Sequence, residues 1–126
     1  MKSRLLLALA LATATGGPTF AHHFLVASYY LDRTVTLDGR VVSFLFRNPH
    51  SFVQVECTDR GRRIETWLAE WSAGSQLGRS GVAKDSLKPG DGVIVTGNPP
   101  RNPAEHKVRV VSIVRSSDGW RWSEQN

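Results

Sequence analysis

The stretch Thr34-Val35-Thr36-Leu37-Asp38-Gly39-Arg40-Val41-Val42-Ser43-Phe44-Leu45-Phe46 alternates apolar and polar residues, but not in a single phase. Val35 and Leu37 share one face, Val42, Phe44 and Phe46 share the other, and Asp38-Gly39 stands at the change. A one-residue slip sends every later side chain to the opposite face, and a glycine is where a β-bulge can absorb it. The expectation is one long first strand, bulged at Asp38-Gly39, of the kind that bends around a small barrel.

Working outward, Asn48-Pro49-His50 is a turn signal, because Pro49 fixes its own backbone and restricts Asn48 before it. A second strand follows over residues 52–57, with Val53, Val55 and Cys57 alternating. Thr58-Asp59-Arg60-Gly61 reads as a hairpin tip. The third strand runs over residues 62–71, with Ile64, Thr66 and Leu68 on one face and Trp67, Ala69 and Trp71 on the other. Ser72 is placed to cap a short helix through Leu77 that ends near Gly78 or Gly81.

Lys88-Pro89-Gly90-Asp91 suits a type II turn leading into a fourth strand over residues 93–97. Residues 98–103 hold three prolines and form a loop. The fifth strand covers residues 107–115, with Val108, Val110 and Val114 on one face and Val111 and Ile113 on the other. Five strands with one short helix between the third and fourth describe an all-β, OB-like barrel over residues 34–117, of the oligonucleotide/oligosaccharide-binding type. Closure would remove sheet edges that so short a chain could hardly cover. A β-sandwich topology is the alternative. Residues 22–33 form an N-terminal arm, and residues 118–126 a tail in which Trp120 and Trp122 pack.

The N-terminus reads as a secretory signal peptide: Lys2 and Arg4, an apolar run over residues 5–14, then Thr19-Phe20-Ala21 with small residues where the peptidase reads. Its apolar part is too short to span a bilayer, so no retained anchor is expected. Cleavage between Ala21 and His22 is expected, with Ala12-Thr13-Ala14 as a competing site. Removing 21 of 126 residues leaves 105 and takes away two positive charges, so the net charge of +5 falls to +3. The weakened basicity and the export signal both argue against a nucleic-acid partner, although Arg60, Arg62 and Arg63 cluster at the hairpin tip. With Cys57 the sole cysteine, no intramolecular disulfide can form.

Position makes three of the four histidines candidate metal ligands. Processing after Ala21 would give His22 a free α-amine beside its imidazole, and the two can chelate one ion. An α-amine with a pKa of about 7.7 loses its proton at modest cost at neutral pH. His50, held in the Asn-Pro-His turn, is the candidate further imidazole, with His23 beside it in the set. Glu70 is placed to add an oxygen ligand or to orient an imidazole from behind. A nitrogen-rich site of this kind favours copper as Cu(II), with zinc or nickel as competitors. Solvated, metal-free histidines are the alternative, and His106 reads as a surface residue. No catalytic triad, nucleotide cradle or paired-acid arrangement is legible, so binding is favoured over catalysis.

Ala21-His22-His23-Phe24, Thr36-Leu37-Asp38-Gly39, Asn48-Pro49-His50, Trp67, Glu70 and Asp85-Ser86-Leu87-Lys88-Pro89-Gly90-Asp91 together resemble a family of small exported bacterial proteins that carry a domain of unknown function. The chain departs from the family pattern at Phe24-Leu25, where Ser-Phe is usual. The resemblance implies a periplasmic or secreted, β-rich single domain and supports the functional reading of His22, His23 and His50. The two functions carried forward are transition-metal binding or delivery and a metal-free interaction module accessory to an envelope complex.

Overall fold

The computed structural model of the chain describes residues 18–125, with only the backbone described for residues 18–21. The basic and apolar parts of the expected signal, residues 1–17, lie outside the described residues. In chain order the elements are α1 (Pro18–Ser28), β1 (Val35–Leu45), β2 (Ser51–Thr58), β3 (Ile64–Trp71), α2 (Gly74–Arg79), β4 (Gly92–Asn98), β5 (Lys107–Arg115) and β6 (Arg121–Ser123). The expected cut after Ala21 falls within α1, so the N-terminal arm begins as a helix. No helix among the described residues is long and apolar enough to cross a membrane.

β1 pairs antiparallel with both β2 and β4, β2 with β3, and β4 with β5. A short parallel pairing, Leu68↔Lys107 to Glu70↔Arg109, joins β3 to β5 and closes a five-stranded OB-like barrel. The alternating residues foreseen in β2 and β3 face inward, so Val53, Val55, Ala69 and Trp71 are buried with Val93, Val95, Val108 and Ile113. Leu77 of α2 and Val82 and Leu87 after it join the same cluster. The tail adds β6, which pairs with β5 and brings Trp122 opposite Ile113.

The β1 bulge lies elsewhere than Asp38-Gly39. The register with β2 shifts between Val41 and Ser43, leaving Val42 unpaired and 38% exposed, while Leu37 and Val41 are buried. Gly39 sits in regular register opposite Cys57 and Val93. Its job is close approach, because a Cβ there would stand 2.2 Å from the carbonyl oxygen of Glu56. A second shift, between Thr96 and Gly97, pairs Gly97 with Val110 and Thr96 with Ser112, so Val111 is skipped. Ile113 therefore points inward with Val108 and Val110, and Val114 does not.

Local turns follow the sequence more closely. In Lys88–Asp91 the Asp91 N–H donates to Lys88 O at 3.1 Å and Gly90 takes φ +92°, as a type II turn requires. The β2–β3 tip is one step longer than expected: Arg62 adopts φ +60°, and Arg63 N–H donates to Asp59 Oδ1 at 2.9 Å before the strand begins. Ser72 does not cap α2. Ala73 holds the N-cap position without a side-chain bond, and Asn48 Oδ1, in the β1–β2 loop, accepts the Ser75 N–H at 3.0 Å.

Candidate functional site

The Asn-Pro-His loop is pinned by its own backbone. Buried Ser51 accepts the Arg47 N–H at 3.2 Å and donates back to Arg47 O at 3.1 Å, so its hydroxyl ties off the loop. Arg47 O also accepts the Gly74 N–H at 2.9 Å, and the Ser51 N–H donates to Ser72 O at 3.0 Å. With Asn48 capping the same helix, the loop satisfies two of the free N–H groups at the start of α2. The Asn48–Pro49 peptide is cis. His50 thus leaves a loop whose ends are tied to β2, β3 and α2.

His50 Nδ1 lies 3.4 Å from Glu70 Oε1. The Tyr29 hydroxyl donates to the other carboxylate oxygen, Oε2. Burial first, then the hydrogen bond to Glu70 and its charge, push the Tyr29 phenol far above its ordinary value. Tyr29 therefore remains a donor throughout the working pH range. Arg109, the register partner of Glu70 on β5, donates to Asn98 Oδ1 at 2.9 Å and to Glu124 Oε1.

Beyond the Glu70↔Arg109 pair a cleft of about 270 Å³ opens, and its walls include Leu25, His50, Glu70, Trp71, Arg109 and Glu124. The indole nitrogen of Trp71 is buried with no hydrogen-bond partner among the described residues, while its ring packs against Phe44 and Trp122. The cleft offers one imidazole, one guanidinium and two carboxylates, each already aimed by a neighbour.

His22 and His23 are exposed on α1 and are not gathered with His50. Among the described residues no group of three or more His, Cys, Asp or Glu side chains stands ready to hold a metal ion. Leu25, three residues beyond His22, does reach the cleft. His106 is exposed, as expected, but its ring also stacks on Trp67 at 4.9 Å. Cys57 is half-buried against the core, and burial pushes its thiol up.

Sequence reasoning missed Tyr29, Arg109 and Glu124. Arg109 had a signal, since it interrupts the apolar positions Val108 and Val110 as the outward residue between them. Tyr29 had none, because the arm carries no period that would separate a buried tyrosine from an exposed one.

Residues 10–109 match a protein family described as being of unknown function, DUF6152. The chain belongs to that family. The family covers the barrel up to Arg109, together with His22, His23, Tyr29, His50 and Glu70; Glu124 lies beyond it. The chain is also similar to a Salinibacter ruber (strain DSM 13855 / M31) protein named aspartate 1-decarboxylase, at 30% identity over 96 residues. That match takes in 73% of this chain and 66% of the relative, just short of two thirds of the relative's length.

Proposed function

We propose that this member of the family is exported to the periplasm or secreted, is processed after Ala21, and binds or delivers a transition-metal ion. Copper as Cu(II) is the favoured ion, with zinc or nickel competing. The ligands are the amine and imidazole of His22 and the imidazole of His50, with His23 available as a further nitrogen. The observation that carries this reading is the pose of His50, whose Nδ1 faces Glu70 at 3.4 Å while its side chain remains 43% exposed. A carboxylate behind the ring favours the Nδ1–H tautomer and makes the opposite nitrogen, Nε2, a better ligand.

The position of α1 also favours it. His22 and Leu25 are three residues apart and share a helix face, and Leu25 lines the cleft beside His50. Removal of residues 1–21 would take away the first turn of α1 and give His22 a free amine. Imidazole and amine donors suit Cu(II), which also leads the divalent affinity order.

The test is a Cu(II) titration of the processed protein, its first residue established by intact mass. One ion per chain should bind, with affinity reduced at least tenfold by His22→Ala and by His50→Ala, and lost when the chain begins at Thr15. Absence of uptake, or uptake indifferent to both substitutions, refutes the proposal. A partner protein that co-purifies regardless of chelator and of the histidine substitutions would favour the metal-free envelope module instead. The name of the Salinibacter relative supplies a third outcome: release of carbon dioxide from aspartate by the purified protein would make it an enzyme.

A further inference from the structure

Tyr29 is fully buried, yet it stands apart from the main core cluster. Its backbone is held on both sides: the Tyr29 N–H donates to Leu25 O at 2.8 Å, Tyr30 N–H donates to Pro99 O at 3.0 Å, and Tyr29 forms an isolated bridge with Pro100. Arg33 and Arg101 stack on the neighbouring Tyr30 ring at 4.1 and 4.6 Å, and Arg101 Nε donates to Val26 O. This clamp sets the depth of the arm, and with it the position of the Tyr29 hydroxyl against Glu70.

A carboxylate has two oxygens in one plane, so tying one of them directs the other. The Tyr29 hydroxyl holds Oε2, and Oε1 is the atom that faces His50 Nδ1. We propose that Tyr29 is a positioning residue: by holding Glu70 it aims Oε1 at His50, fixes the Nδ1–H tautomer and presents Nε2 as the bare nitrogen. Docking of the N-terminal arm is thereby coupled to the state of an imidazole 21 residues further along the chain. The use of Nε2 as a metal ligand rests on the reading given above; the tautomer itself does not.

The experiment is nitrogen NMR of the histidine side chains in the metal-free protein, at a pH where the imidazoles are neutral. In the natural chain His50 should show one protonated and one bare ring nitrogen, with the proton on Nδ1. Tyr29→Phe keeps the buried ring and removes the hydroxyl, and should collapse this pattern toward the tautomer mixture of a free imidazole. Glu70→Gln should collapse it as well, and the double substitution should add nothing further. A natural chain in which His50 already carries its proton on Nε2, or averages the two tautomers, overturns the proposal without any variant. So does a folded Tyr29→Phe protein with the pattern intact. In the Cu(II) titration Tyr29→Phe should weaken binding by about tenfold, the size usual for removing a partner behind a ligand. Should the natural chain bind no copper while its tautomer is fixed and lost in Tyr29→Phe, the positioning role stands and the metal reading falls.

Discussion

Gly39→Ala adds one methyl group at the tightest point of the sheet. The new Cβ would lie 2.2 Å from Glu56 O, 2.9 Å from Glu56 C and 2.9 Å from Val55 Cγ1, and two of these three atoms are backbone. Restoring ordinary van der Waals separation asks β1 and β2 to part by roughly 1 Å. The strand is pinned on both sides at this residue, to Cys57 of β2 and to Val93 of β4, so it cannot swing away without loosening one ladder. Overpacking of this kind costs about 1–3 kcal/mol. Weakening two ladder hydrogen bonds adds about 1 kcal/mol each.

The sum, about 3–5 kcal/mol, is a large part of the roughly 5–15 kcal/mol that holds a domain together. At about 4–8 °C per kcal/mol for a domain of this size, Tm should fall by at least about 12 °C. Thermal unfolding followed by near-ultraviolet circular dichroism of the tryptophans measures it. The matched control is Gly78→Ala, where an added Cβ meets nothing within 4 Å among the described residues and the residue is helical. It should change stability by under about 1 kcal/mol, in the stabilising direction. A Gly39→Ala protein melting within about 3 °C of the natural chain would refute the close-approach reasoning.

Ser51→Ala removes both bonds that tie Arg47 to the Asn-Pro-His loop and should cost about 1–2 kcal/mol in chemical denaturation, with changed His50 resonances; an unchanged His50 spectrum would mean that the hydroxyl does not hold the loop. Asp118 is held at about 2 by its hydrogen bond from Arg115, so its contribution to stability is present above its ordinary pKa near 3.8 and is lost as pH falls from there toward 2. Asp118→Asn should therefore flatten the acid limb of a stability-against-pH curve between pH 4 and 2, and an unaltered limb would refute the pairing. With its thiol pushed up by burial, Cys57 should react with a disulfide reagent at pH 8 many times more slowly in the folded chain than in the unfolded one. Equal rates would show the thiol to be open.

The strands of the meander and the Pro89-Gly90 turn were legible because their signals are local. Alternation sorts side chains by face at a spacing of two residues, and a Pro-Gly pair favours one turn geometry before anything packs on it. The same alternation misled at Asp38-Gly39. A glycine compatible with a bulge is equally compatible with a close contact, and only the position of the Glu56 carbonyl separates the two. At Val111 the residue skipped by β4 put Ile113 inside and Val114 outside, contrary to a strict period of two. Glu70 was within reach of sequence reasoning as a carboxylate on the outward phase of β3, and His50 as the exposed end of a turn.

Composition and local pattern sufficed for the all-β class, the strand count of the barrel and the short helix after β3. Folding alone decided that Asn48 would cap a helix 27 residues away, that Tyr29 would hold Glu70 from 41 residues away, and that β3 would close against β5. These are short-range contacts between segments distant in sequence: two side-chain hydrogen bonds and one ladder of three residue pairs. No periodicity encodes them, and each arises only once the barrel has brought the partners within a few ångströms, where an unpaired buried donor or acceptor costs more than the bond itself is worth.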